Sequence, residues 1–262
     1  MDPQTASEPQ PQKETVEARN FFSRLGGVYF SPRETFLEIG NSPKVLAPII
    51  AMIIIGLLVG FYLSKNLDLQ SLIVNQMQKA IEQGRMTKEQ MEQQLPFVLR
   101  IAGIQLVVVA AVGNLVLSLI IAAVFKLITT LISAENRFKA VFTVTCYTMI
   151  AVSIIQSALL ILVVHLKGPG GLDISNINSV LASNLGALIS SILGEDALPK
   201  FLMRLAGWVD VFAIWRIALL AIGYAAVSRK LKTATAATWL AAVYVVVALI
   251  GSAIGPIRIS GQ

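Results

Sequence analysis

Between Trp208 and Val227 the chain reads WVDVFAIWRIALLAIGYAAV, and the basic run Arg229, Lys230 and Lys232 follows at once. About 20 apolar residues are what a helix needs to cross the hydrocarbon core of a bilayer. This stretch also carries Asp210 and, near its middle, Arg216. A cation at that depth costs at least about 2.5–3.5 kcal/mol on insertion scales, so its surroundings must supply partners or water. The sequence therefore demands a helix of bilayer length that is set among other helices.

The rest of the chain supplies that setting. Of its 262 residues 55% are hydrophobic and only 14% charged, with a mean hydropathy of +0.72, far too apolar for a soluble domain of this length. The formal charge of +6 is scattered through the links between apolar runs and mixed with Asp and Glu. Positive-inside topology explains it better than nucleic-acid binding, so no nucleic-acid partner is expected. A lone Cys146 cannot form an intrachain disulfide, and a lone His165 leaves no His-based metal cluster, so no metal and no cofactor are expected. No segment reads as a P-loop, a nucleophile elbow, a paired His-Glu metal helix or a Gly-rich dinucleotide turn, and the expectation is a non-enzymatic protein.

Taken in order, residues 1–20 form a polar tail rich in Pro, Gln and Glu that cannot bury enough surface to order itself. With no apolar core close behind the first residue, the first span is expected to act as the targeting signal. Residues 21–44 make a lead-in segment. Its first part, with Phe21, Phe22, Tyr29 and Phe30 around Gly26 and Gly27, suits a course along the headgroups, and ordinary turns are the other reading. A short helix should start at Pro32, where Ser31 can cap and Glu34 can reach back to the cap amide. It would lie half sunk in the interface on Phe36, Leu37 and Ile39 and end near Gly40 and Asn41.

Five spans are expected, at about 45–63, 101–127, 141–164, 208–227 and 238–254, within a membrane domain of residues 45–255. Pro48 invites a bend in the first. The polar link 64–100 reads as a helical hairpin, with an apolar stripe to Gly84 and a capping box at Thr87 to Gln90. In span two, Gly103, Gly113 and Ser118 would let neighbouring helices approach. Gly168-Pro169-Gly170-Gly171 should break the chain, and the amphipathic stretch from Ile174 to Leu193 reads as interfacial. A short tail, 256–262, follows. The fold class is thus all-α: a bundle of five transmembrane helices with interfacial amphipathic helices. The short links rich in Lys and Arg, at Arg137 and Lys139 and again at Arg229 to Lys232, favour a cytoplasmic N-terminus.

On the fourth span, Asp210, Phe212, Trp215, Leu219, Leu220 and Gly223 form Asp-x-Phe-x-x-Trp-x-x-x-Leu-Leu-x-x-Gly. This resembles a signature of the Yip (Ypt-interacting protein) domain family of multi-pass membrane proteins. Pro32 and Phe36 before span one, and Phe138 to Tyr147 at the start of span three, resemble two further parts of that pattern. The proline that members often carry soon after this tyrosine is missing. The resemblance implies an organising or accessory role through helix and protein-partner contacts, with the lipid bilayer, other membrane proteins or a second copy of the chain as partners. Eukaryotic members bind prenylated small GTPases and reside in the endoplasmic reticulum or Golgi. The short N-terminal tail points to the bacterial kind, located in the inner membrane, for which no GTPase is implied.

The pattern assigns nothing to Arg216. With Asn114 and Gln156, each near the middle of its own span, Arg216 is a candidate polar intramembrane site, and a small transporter or permease component is the competing function. Equally, an arginine satisfied by carbonyls and amides would serve packing alone. Asp210 lies six positions earlier, about 240° around the helix and roughly 9 Å along it, and is a poor direct partner. Trp208 and Trp239 are expected to anchor span ends, and Lys126 to extend to headgroups.

Overall fold

The computed structural model describes residues 20–168, 181, 183–194 and 196–254. The expected polar tail apart from Asn20, the breaker beyond Gly168, the start of the expected interfacial helix at Ile174 and the tail 256–262 lie outside the described residues. Among the described residues the regular structure is ten α-helices. Their order is α1 (Phe21–Phe30), α2 (Pro32–Asn41), α3 (Leu46–Asn66), α4 (Leu69–Glu82), α5 (Lys88–Leu131), α6 (Phe138–Lys167), α7 (Leu185–Leu193), α8 (Lys200–Trp208), α9 (Val211–Val227) and α10 (Thr233–Ile254).

Four of these, α3, α5, α6 and α10, are long and apolar enough to cross a membrane, and α9 is a shorter apolar helix of 17 residues. The chain is therefore an all-α, multi-pass membrane protein. The fourth expected span begins three residues late because Asp210 leaves the helical conformation (φ −121°, ψ 137°) and caps α9 instead of entering it. At 1.5 Å per residue, α9 is about 25 Å long, against about 30 Å of hydrocarbon.

The polar link after span one is organised by two capping residues. Asp68 accepts from the Ser71 amide at the start of α4, and at Thr87 both arms of the expected capping box form, with Gln90 Oε1 accepting from the Thr87 amide. The hairpin does not end there, however. α5 continues without interruption into the apolar run and reaches 44 residues, carrying Pro96 inside it. In α3, Pro48 is the third helical residue, where the amide it lacks would have been unpaired in any case, so no bend is required.

The lead-in segment departs most from expectation. Residues 21–30 are a helix that runs straight through Gly26 and Gly27, and α2 turns Thr35, Phe36 and Ile39 into the protein while Leu37 stays exposed. Val28, Phe36 and Ile39 are fully buried and share one core with Val141, Val144 and Tyr147 of α6 and Leu219, Leu220 and Tyr224 of α9. Helix α2 starts at Pro32 as expected, but the Ser31 side chain makes no cap hydrogen bond. Proline at the first helical position, which has no amide to satisfy, replaces the capping box.

The α3–α5 contact is also built differently from expectation. Gly103 and Gly113 of α5 have no neighbouring helix against them: a Cβ would meet nothing within 4 Å at Gly103 and only Val109 of the same helix at Gly113. The close approach comes from α3, where Gly56 and Gly60, four residues apart, lie on the backbone of Val107, Ala110 and Ala111. This small-xxx-small pattern lets two helices meet backbone to backbone. The expected third glycine-group residue, Ser118, is buried, and its hydroxyl donates to Asn114 O at 2.7 Å.

Candidate functional site: a helix crossing held by buried polar groups

The signature residues converge where α2 lies across α9, with α6 behind them. Gly223 makes the crossing possible, because a Cβ there would be 3.1 and 3.2 Å from two ring carbons of Phe36 and closer still to Val144 Cγ1. Leu219, Leu220 and Phe212 are buried around it, and Tyr224 stacks on Phe125 of α5 at 3.9 Å between centroids. The Tyr224 hydroxyl and Thr145 Oγ1 are 2.7 Å apart, and Thr145 also donates to Val141 O. Trp215 faces Tyr29 of α1 at 6.1 Å between centroids, and the Tyr29 hydroxyl donates to Ala151 O of α6 at 2.7 Å. Tyr147 lies 5.6 Å from the Phe21 ring, and Pro32 opens α2.

Asp210 acts by capping. Its Oδ1 accepts from the amides of Phe212 (2.8 Å) and Ala213 (3.0 Å), two of the donors a helix start leaves free. Its Oδ2 accepts a short bond from the Ser183 hydroxyl. The backbone of Ser183 to Leu185 pairs with Val209 to Val211 on either side of that bond, so one aspartate starts α9 and holds the segment before α7 against it.

A second polar group escaped the sequence reading. Arg24 is 1% exposed, and its Nε donates to Glu38 Oε1 at 3.1 Å while Nη1 donates to Ser42 O at 3.1 Å. Tyr147 lies in its neighbourhood. The guanidinium thus fastens α1 to both ends of the second half of α2. A signal for it was present: Phe21, Arg24, Leu25 and Val28 follow helical i, i+3, i+4, i+7 spacing, which puts the arginine on the apolar face. Arg24 Nη2 and the hydroxyls of Thr35 and Thr148 are buried without a hydrogen-bond partner.

A third polar group closes the same end of the bundle. Lys126 Nζ does not extend outward but donates to Asn136 O at 2.9 Å, and Asn136 Nδ2 donates to Thr129 Oγ1 and Ser228 Oγ. The Arg229 amide donates to Glu135 O, so the α5–α6 link clasps the end of α9.

The candidate polar residues of the spans are placed apart. Asn114 Nδ2 donates to Ser153 Oγ of α6 at 3.3 Å, whereas the polar side chains in the neighbourhood of Arg216 are Tyr244 on α10 and Asp210. Gln156 is half-buried on α6, and among the described residues no hydrogen bond joins Arg216 to it or to Asn114. Arg216 Nε itself is buried with no hydrogen-bond partner. Trp208, expected at an interface, packs its ring on Gly251 and 5.8 Å from Tyr244, whose hydroxyl donates to Trp208 O, while Trp239 is 41% exposed. Among the described residues no group of acidic, His and Cys side chains is placed to hold a metal.

An α-helical, multi-pass bundle whose first two helices are folded back on its core by buried polar clasps defines the class of protein: an integral membrane protein of compact helical type. Comparison with protein families narrows this to one. The Yip1 domain matches residues 26–255, nearly the whole chain, and the chain belongs to that family. Neither a curated protein nor a solved structure matches it.

Proposed function

We propose that this Yip1-domain protein has no enzymatic activity and organises other membrane proteins, acting through contacts made by helices α1 and α2. The observation that carries this reading is how these two helices are attached. Phe36 on Gly223 and Tyr29 on Ala151 fix them to α9 and α6, and Arg24 on Glu38 and Ser42 fixes them to each other. Their outer side keeps large apolar groups uncovered: Phe22 is 78% and Phe30 90% exposed. Exposed aromatics on a preorganised element are the kind of anchor that protein partners use. Site-specific photo-crosslinkers at positions 22 and 30 in native membranes should trap discrete membrane proteins, or the chain itself. Capture of lipid alone from both positions overturns the reading.

Arg216 Nε, buried without a partner, favours a second reading in which α9 and α10 handle a polar or anionic solute. Flux through purified protein in vesicles that is lost in Arg216→Leu supports it. Crosslinked partners with no flux support the organising role.

A further inference from the structure

An apolar groove of about 680 Å³ opens on the surface where α3 and α6 both begin, lined by Pro43, Leu46, Ile49 and Ile50 with Lys44 and Lys139 at its rim. We propose that this groove binds one phospholipid with an anionic headgroup, the phosphate lying between Lys44 and Lys139 and the acyl chains along Leu46, Ile49 and Ile50. The two lysines come together because Arg137 Nη2 donates to Gly40 O at 2.7 Å, which ties the end of α2 to the start of α6. Both lysines are exposed, and neither has a carboxylate partner among the described residues. No acidic side chain lines the groove.

The backbone adds to the same charge. α3 and α6 start at Val45 and Arg137 without a side-chain cap and without an acidic residue in the first turn, as α8 also does, whereas Asn20, Asp68, Thr87, Asn184 and Asp210 cap α1, α4, α5, α7 and α9. Two lysines beside two positive helix ends repel one another unless an anion stands between them. In a membrane protein the apolar walls of such a groove face lipid, so the anion that fits is one carried on acyl chains.

A second groove, of about 390 Å³, sets the contrast. It also has two cations, Lys65 and Arg100, but lies at the C-terminal end of α3. There Lys65 sits in the last turn, with Nζ 5.9 Å from the Phe61 ring centroid, and its charge already complements the helix end. That groove is expected to show no headgroup preference.

The test uses the full chain in nanodiscs of equal phosphatidylglycerol and phosphatidylcholine with matched acyl chains, and native mass spectrometry to read the lipid retained. Each lysine beside an anionic headgroup is worth about fivefold, so retained phosphatidylglycerol should exceed phosphatidylcholine by roughly 25-fold. Lys44→Gln with Lys139→Gln should bring the two to parity, and Lys65→Gln with Arg100→Gln should leave the preference intact. Equal retention by the unaltered chain, or a preference that survives the first pair of changes, overturns the proposal. Release of the lipid by millimolar inorganic phosphate also overturns it, because the site would then recognise free phosphate. Unchanged melting temperatures of the variants show that the loss belongs to the groove, since all four side chains are at the surface.

Discussion

Two of the helix contacts that depend on glycine in this protein use it in opposite ways. Where α3 meets α5, a Cβ on Gly56 would sit 2.6 Å from Ala111 Cα and 2.7 Å from Ala110 C, and one on Gly60 would sit 2.8 Å from Val107 Cα. Where α2 meets α9, a Cβ on Gly223 would meet side chains: the Phe36 ring at 3.1 Å and Val144 Cγ1. A side chain can turn to another rotamer, whereas a helix backbone can yield only by moving the whole helix. The first contact is set by main-chain fit. The second is set by side-chain fit and by the polar clasps around it, and it is correctable.

The largest effect should therefore follow from Gly56→Val with Gly60→Val. Overpacking usually costs about 1–3 kcal/mol because side chains rearrange. With backbone as the obstacle at both positions, the loss should be at least about 3 kcal/mol, read as a folded fraction too small to purify in mild detergent. Truncating Val107 to alanine should not restore it, since the obstacles include Ala110 and Ala111. Rescue by that change would erase the contrast between the two contacts.

Next in size is Arg24→Leu, which leaves Glu38 without the guanidinium and frees α1 from α2. Removing one partner of a buried ion pair costs about 3–5 kcal/mol, and because the Glu38 side chain is 19% exposed the lower figure, about 3 kcal/mol, is expected. Unfolding in a denaturing-detergent titration reads it. Adding Glu38→Leu should recover the part of the loss that comes from the missing charge contact with Arg24. A double variant no better than Arg24→Leu would mean that the clasp works through Ser42 O and packing rather than through charge.

Gly223→Ala should be milder, about 1–3 kcal/mol, with Val144 and Phe36 shifting to admit the methyl group. Val144→Ala in the same chain should bring the stability back toward that of Val144→Ala alone, a coupling measured as a double-mutant cycle. If the two losses simply add, Gly223 does not yield through Val144, and this contact is as rigid as that of α3 with α5.

How much of this was legible in the sequence follows the range of each signal. Pro32, Thr87 with Gln90 and the apolar runs act within a few residues, and they placed the start of α2, the start of α5 and the membrane helices close to where they lie. The burial of α1 and α2 was not legible, because an aromatic, amphipathic helix has the same pattern whether lipid or protein covers its apolar face. Asp210 was read for its place in the family pattern and its distance from Arg216. Its capping bonds, to amides two and three positions on, are a local signal that could have been read, whereas its bond to Ser183, 27 positions away in the chain, could not. Arg24 was written on the apolar face of α1, but its partners Glu38 and Ser42 become neighbours only once the chain folds back at Ser31.

Gly103 and Gly113 provide the smallest expected effect and the strictest check on the comparison. Gly103 and Gly113 in α5 suggested that neighbouring helices approach there, and the structure puts the close approach elsewhere: α3 contributes Gly56 and Gly60 while α5 contributes Val107, Ala110 and Ala111. A methyl group at Gly103 meets nothing within 4 Å, and one at Gly113 is 3.8 Å from Val109 Cγ1, an ordinary contact. What remains is the intrinsic cost of glycine inside a helix, about 0.5–1 kcal/mol relative to alanine. Gly103→Ala and Gly113→Ala should therefore be neutral or stabilising by up to that amount, with α5 as helical as before. A loss above about 1 kcal/mol at either position would mean that this face of α5 lies against another helix, which none of the described helices provides.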